Sequence, residues 1–577
     1  MRHHQVYVGA GVSGTAALIA TVRGLERLPP PLTRRLAERL AITIVERSGD
    51  FGPGLPYGRA TAGFHLLNMK AGAMSLVHDA PDDFVAWLAD RAPIDEALPR
   101  PPRAAIAGRH RYGDYTRQRF GEYRDRARRL GVRVEEVSES AVSLVRGRRP
   151  GRAERKAHAP DRLGVVLAGG RVLWADAVLV ATGHADPADT DHCRSHGAAR
   201  SADGGGLYFP WPADALARAV PAGATVGLLG SSLTAVDACL TIAYALGDFR
   251  RVVPWRYEYR PRRPYTVVMC SRRGLLPGVQ VEAPAGVADG NPHLRPDAEP
   301  GDGATTSAVR RRFEASVEWA LRAADLPCTL PAPATGVGDC TEAAHRQLRR
   351  GIAEWRAQDP AAATVQATAQ AFFVPLWSLY RGMPSRERST VWREFMTPFL
   401  VHAAAMPVEN AARIEALLAA GVLRLRAGVG AVEPRGSGFR LTFAAPAEPL
   451  DVRWLVNAIG RGRGNGADDP FVRSGIAAGL LVDDPQGGVA VDPDTSLALD
   501  PTGAIDRRIA ALGPLTMGSH IGASAAASSV KRANVLAAEW LHDAAIAVGL
   551  PADPLGTVAA PSPYRGHGRP QLVPAVS

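Results

Sequence analysis

The residues best placed for chemistry in this 577-residue chain are small ones. Gly9-Ala10-Gly11-Val12-Ser13-Gly14 spaces three glycines as G-x-G-x-x-G between the apolar run Val6-Tyr7-Val8 and an alanine-rich, helix-forming stretch. That order reads as strand, tight turn and helix. Gly9 permits the turn, Gly11 lets a pyrophosphate approach backbone N–H groups, and Gly14 lets helix and strand pack closely. The motif alone is common in glycine-rich turns; the flanking strand and helix make it a dinucleotide site. Ile42-Thr43-Ile44-Val45 then forms a buried strand ending at Glu46, an acid placed to accept hydrogen bonds from a ribose. Glu46 lies further along than the ~20 residues usual for that acid, and the loop around Pro29-Pro30-Pro31 with a short helix accounts for the excess.

A second turn repeats this logic. Thr225-Val226-Gly227-Leu228-Leu229 leads into Gly230-Ser231-Ser232-Leu233-Thr234-Ala235, with Ser232 where the middle glycine is usual. Serine keeps backbone approach possible with less freedom. No glycine follows at nucleophile-elbow spacing, and no histidine and acid are placed to serve a catalytic serine. Gly230, Ser232 and Thr234 are therefore assigned to a second dinucleotide. The strand through Val267-Val268-Met269-Cys270 ends in Ser271-Arg272-Arg273. Where an NAD site carries an acid, these donors suit the 2′-phosphate of NADPH.

Between the two turns, Phe51-Gly52-Pro53-Gly54-Leu55-Pro56-Tyr57 and His65-Leu66-Leu67-Asn68 form a loop at the carboxyl edge of the first sheet, where doubly wound folds bind ligands. Tyr57 and Asn68 are candidate ligand contacts. The Asn68 amide offers a donor and an acceptor against a flavin ring edge, and an Asn that merely holds its loop is the competing reading. His65 reads as structural. Arg109-His110-Arg111 opens an amphipathic helix and suits either a phosphate or carboxylate ligand or a solvated basic face; Arg386, Arg388 and Arg393 pose the same choice. Ala181-Thr182-Gly183 ends an apolar strand where the chain crosses between nucleotide modules. Gly513 and Thr516 lie in a final turn before a small-residue helix that commonly completes an FAD site.

Composition narrows the classes. With 46% hydrophobic and 22% charged residues the chain is globular. Its formal charge of +11 comes almost wholly from arginine, Lys70, Lys156 and Lys531 being the only lysines. In an Ala-, Gly- and Pro-rich chain that balance reads as composition bias, and no nucleic-acid partner is expected. The five cysteines contain no C-x-x-C, so neither a disulfide framework, nor a cysteine metal site, nor a dithiol reductase is expected. No apolar run reaches the ~18 residues of a membrane span. The reading is cytoplasmic.

Together and in order, Gly9 to Gly14, Phe51 to Tyr57, His65 to Asn68, Ala181 to Gly183, Gly230 to Asp237, Ser271 to Pro277 and Leu512 to Thr516 resemble the FAD/NAD(P)-binding flavoproteins related to N-hydroxylating monooxygenases. The likeness covers almost the whole chain. It is most similar to the bacterial L-aspartate N-monooxygenases, which form nitrosuccinate in natural-product and antibiotic biosynthesis. The resemblance implies an α/β fold with two Rossmann-like domains, for FAD and NADPH, and a mainly helical insert. It implies an amino-acid-like substrate and O2, no resident metal, and leaves homo-oligomerisation open. The expected layout is an FAD domain over 1–220, an NADPH domain over 221–300, a helical insert over 301–421, a return to the FAD domain over 422–550 and a flexible tail over 551–577. Oxygenation of carbon, sulfur or a ketone by the same cofactors, and non-catalytic nucleotide binding, are the alternatives. No catalytic base is legible, and Asn68 is the one candidate beside the flavin.

Overall fold

The computed structural model describes residues 2–91, 102–147, 162–183, 206–283, 286–296, 304–328, 337–459 and 469–550. Cys193 and the C-terminal tail over 551–577 lie outside them.

Two six-stranded sheets organise the chain. The first runs, edge to edge, Leu497–Leu499, Ile505–Ala511, Ala177–Val180, His3–Val8, Leu40–Val45 and Arg133–Val137, parallel except for its first pair. Alternation along its strands fills two cores: Tyr7, Ile42, Ile44 and Leu179 face one, while Val6, Val8, Val45, Val178 and Val180 face the other. Helices Val12–Glu26, Arg109–Leu130 and Ala526–Ala547 cover the first face. A three-stranded antiparallel sheet of Ala141–Gly147, Arg162–Leu167 and Val172–Ala175 covers the second. Both faces are buried, which is why the strands Leu40–Val45 and Ala177–Val180 read as nearly continuous apolar runs.

The second sheet repeats the plan. Its order is Gly338–Asp339, Leu423–Ala427, Thr266–Ser271, Thr225–Leu229, Trp454–Asn457 and Gly206–Tyr208. Helices Leu233–Leu246, Thr341–Ala357 and Val408–Ala419 cover one face. The antiparallel strands Val429–Arg435, Gly438–Phe443 and Leu450–Val452 cover the other. In both modules the antiparallel sheet feeds a parallel strand that pairs beside the opening one.

This topology corrects the expected layout. Strands within 422–457 belong to the second sheet, and the chain rejoins the first core only at Phe471 and Val472 and its sheet at Leu497. Gly206–Tyr208, ahead of the expected boundary at 220, is also part of the second sheet. An apolar strand carries no mark of which sheet it will join. The insert is helical, with a core around Phe313, Phe372, Phe395 and Phe399, and near its end Ser385–Thr390, a π turn Val391–Phe395 and Met396–Ala403 follow one another without interruption. Among the described residues no helix is long and apolar enough to cross a membrane.

Candidate functional site

The first glycine turn shows why its residues are small. Gly9 has φ +103°, a left-handed value that favours glycine, and an added Cβ would collide with the Ala181 carbonyl. A Cβ on Gly14 would strike the Gly9 carbonyl, so this glycine sets the close packing of helix on strand. A Cβ on Gly11 would come 3.3 Å from the Cα of Gly54. The glycine turn and the Gly/Pro loop therefore touch backbone to backbone. The Gly52 N–H donates to the Ala10 carbonyl at 2.8 Å and fixes that approach.

These elements enclose a cleft of about 330 Å³. Gly9, Gly11, Glu46, Tyr57, Thr182 and Gly183 line it, together with Ser13, Arg59, Ser524 and Ser529. Glu46 accepts hydrogen bonds from the Ala10 N–H at 3.0 Å and from the Ser48 N–H and hydroxyl at 3.1 and 2.8 Å. A carboxylate has about four acceptor sites, so one remains for a ribose hydroxyl. Thr182 Oγ1 is shielded from solvent and has no hydrogen-bond partner among the described residues. An orphaned polar atom in a cleft wall asks for a ligand to satisfy it. Arg59 is exposed at the rim with no partner among the described residues. The residues present thus fit a dinucleotide: a helix N-terminus for pyrophosphate, an acid for ribose and an unsatisfied hydroxyl.

Not every expected residue reaches the cleft. Gly14 stands behind the turn. Gly513, φ +80°, lies against the Ser13 side chain, and Thr516 is fully buried, its hydroxyl donating to the Gly513 carbonyl at 3.0 Å. Thr516 shapes the closing turn from inside; the residues of that region that face the cleft are Pro514, Ser524, Ala526 and Ser529. Ser13 and Ser529 share a hydrogen bond of 2.9 Å, tying the first helix to the last. The run of small residues over 522–529 was the available signal for these contacts. Asn68 is not among the cleft residues. Its backbone carbonyl accepts from Gln280 Nε2, which also donates to the Ala405 carbonyl at 2.8 Å, and its amide side chain has no partner among the described residues. It therefore lies where the first module meets the second sheet's loops and the helical segment.

The second turn copies the first. Gly230 also has φ +103°, and a Cβ there would come 3.0 Å from the Ala458 carbonyl, at the end of the returning strand as Ala181 is in the first module. Ser232 is exposed at the start of helix Leu233–Leu246 and makes no side-chain cap, and Thr234 is partly exposed on its first turn. Ser231, not singled out from the sequence, is the structural member: its hydroxyl reaches Ser271 Oγ at 2.9 Å and the Leu275 carbonyl at 2.6 Å. Ser271 Oγ also accepts from the Gly274 N–H at 2.9 Å, so it braces its own turn.

The two arginines divide. Arg272 is exposed and has no side-chain partner among the described residues. Arg273 Nη2 donates to the Arg393 and Glu394 carbonyls at 3.3 and 3.2 Å. It thereby ties the Ser271 turn to the helical insert. Of the other expected anion ligands, Arg109 is paired with Asp237 at 2.7 Å, and Arg388 donates to the Met383 and Arg381 carbonyls at 3.0 and 2.9 Å. Arg393 reaches Thr390 and Glu394, both at 3.2 Å. His65 is fully buried; Nδ1 accepts from the Ala62 N–H, leaving Nε2 to donate to Thr241 Oγ1 at 3.0 Å. Burial pushes its pKa down.

Cys239, Cys270, Cys328 and Cys340 are free thiols. Burial pushes the Cys239 and Cys270 thiols up to about 12 and Cys340 to about 11. That is the reverse of the lowered pKa a thiolate nucleophile needs.

Residues 6–185 match the family model described as FAD-NAD(P)-binding, so the first module is an FAD/NAD(P)-binding module. No curated protein sequence matches the chain. Among solved structures, it is similar to an ornithine hydroxylase from Pseudomonas aeruginosa at 13% identity and TM-score 0.48, covering 94% of this chain and 99% of that one. A lysine monooxygenase from Nocardia farcinica is 15% identical with TM-score 0.46, covering 93% and 100%. A bacillithiol disulfide reductase from Bacillus cereus is 12% identical with TM-score 0.41, covering 94% and 100%. Hydroxylase, monooxygenase and reductase stand side by side here, so activity has to be read from this chain's own residues.

Proposed function

We propose that the chain is an FAD- and NADPH-dependent monooxygenase that N-hydroxylates the amine of an amino-acid-like substrate. The carrying observation is the duplicated nucleotide turn: Gly9 and Gly230 share φ +103°, and each is backed by the carbonyl of a returning strand. Two such turns in one chain suit two nucleotides, one donating electrons and one passing them on. The first cleft, with Glu46 and Thr182, would hold FAD; the second turn, with Ser232, Thr234 and Arg272, would hold NADPH. When bound, the flavin supplies O2 activation and NADPH the two electrons; one oxygen atom enters the amine and the other leaves as water.

The chain's own residues bind, orient and exclude water. Gly11 and the N-terminus of helix Val12–Glu26 would receive the FAD pyrophosphate, and Arg272 the 2′-phosphate of NADPH. The lack of a C-x-x-C pair in the sequence favours oxygen chemistry over dithiol exchange. Repeated oxidation of an amine passes through hydroxylamine to nitroso and nitro levels, and L-aspartate oxidised to nitrosuccinate is the substrate reading that the motif resemblance supports. The test is 15N-aspartate incubated with protein, FAD, NADPH and O2 and followed by mass spectrometry. Labelled nitrosuccinate or its decay product is expected; NADPH consumed with aspartate intact defeats the aspartate reading.

A further inference from the structure

We infer that Arg109 and Asp237 are positioning residues that make nucleotide binding at the first cleft and at the second turn interdependent, an inference that rests on the two-nucleotide reading above. Arg109 opens helix Arg109–Leu130 of the first module, and Asp237 lies on helix Leu233–Leu246, which the Gly230 turn begins. Their Nη2 and Oδ2 atoms stand 2.7 Å apart, with side chains only 13% and 2% exposed. The contact is ionic, without hydrogen-bond alignment.

The pair sits within a continuous seam. The Arg109 N–H donates to the His65 carbonyl at 2.8 Å and its Nε to the Leu66 carbonyl at 3.2 Å. His65 in turn meets Thr241 at 3.0 Å, one helical turn beyond Asp237, and Phe64 stacks on Tyr244 with ring centroids 4.1 Å apart. The Ala60 carbonyl accepts from the Ala213 N–H at 2.8 Å. Apart from Arg109, every first-module member of this seam lies within 60–66, and the residues just before it, 53–60, line the first cleft. One short segment therefore has its head against one nucleotide site and its tail clamped to the helix of the other. A buried ion pair adds little stability over an apolar pair of similar volume, but separating its charges in a buried seam is costly, which favours the one placement of the two helices that keeps them together. A ligand that orders the head of this segment would hold that placement for the second ligand, and reciprocity requires the converse.

The test is equilibrium titration of the full-length apoprotein with FAD, with and without saturating NADP+. Wild type is expected to show a coupling of about fivefold or more, the lower end of ordinary allosteric coupling. Asp237→Asn and the apolar double substitution Arg109→Met/Asp237→Leu are each expected to bring it below twofold while single-ligand affinities move by less than threefold. The double substitution leaves no unpaired charge and so separates lost coupling from lost folding. In amide exchange, Asp237→Asn is expected to raise protection loss in 58–68 and 233–246 together. Coupling absent in wild type, coupling surviving the double substitution, or an exchange response confined to 233–246 overturns the inference. If either nucleotide fails to bind wild type, the two-nucleotide reading itself falls and takes the pair's role with it.

Discussion

Thr182 offers a perturbation whose two effects have opposite signs. Its hydroxyl is buried in the cleft wall with no partner among the described residues, and burying an unbonded hydroxyl costs about 1–3 kcal/mol in proteins. Thr182→Val keeps the shape and removes the unsatisfied group, so the apoprotein should gain about 1 kcal/mol. If bound FAD is the missing partner, the same change removes one neutral hydrogen bond, about 0.5–1.5 kcal/mol, or roughly two- to tenfold in Kd. Urea unfolding of the apoprotein gives the first quantity and FAD titration by fluorescence the second. A more stable apoprotein with weaker FAD binding supports the site. An apoprotein that loses stability while FAD affinity stays unchanged refutes the assignment of Thr182 to the flavin.

Other perturbations separate binding from scaffolding. Gly14→Ala places a Cβ on the Gly9 carbonyl, a backbone atom that cannot swing away, so about 1–3 kcal/mol of overpacking and loss of retained flavin are expected in chemical unfolding and absorbance; normal flavin content contradicts it. Arg272→Ala should weaken NADPH by about ten- to a hundredfold, the worth of a charge-assisted contact, and leave NADH unchanged, whereas Arg273→Ala should lower the melting temperature with nucleotide preference intact. Both are read by calorimetry, and an exchange of the two phenotypes would reverse the assignment. Burial depresses the pKa of both His65 and His520, and Arg532 Nη1 stands 2.8 Å from His520 Nε2. A depressed folded pKa gives stability that is complete above the unfolded value near 6.5 and lost as pH falls below it, by up to about 1.4 kcal/mol per pH unit for each group. Urea unfolding at pH 7, 6 and 5 should show that decline and His520→Gln should lessen it; an unchanged slope in the variant counts against a buried neutral His520.

Much of this architecture was legible because its signals are local. Glycine spacing at 9–14 and 230 reports backbone demands that only a few residues meet, and runs such as Ile42 to Val45 report strands buried on both faces. Sheet membership was not legible. Leu423–Ala427, in which Arg424 and Arg426 alternate with apolar residues, and the apolar Trp454–Asn457 carry no local mark of their sheet, and only long-range pairing decides where they go. The arginines show a second limit. Arg272 and Arg273 are adjacent and chemically identical, and only the distant Arg393 and Glu394 carbonyls, brought close by the fold, make Arg273 a brace. Arg109 likewise suited an anion in the sequence until Asp237 was brought to it. Thr516, read as a ligand contact from its place in a turn, is consumed by that turn.

The most direct test of the central claim is the nucleotide stoichiometry of the purified chain, followed by anaerobic addition of NADPH. One FAD and one NADPH per chain, with NADPH bleaching the yellow flavin and Arg272→Ala losing NADPH while keeping FAD, is the predicted result. A chain that binds a single nucleotide, or whose bound flavin NADPH cannot reduce, contradicts it.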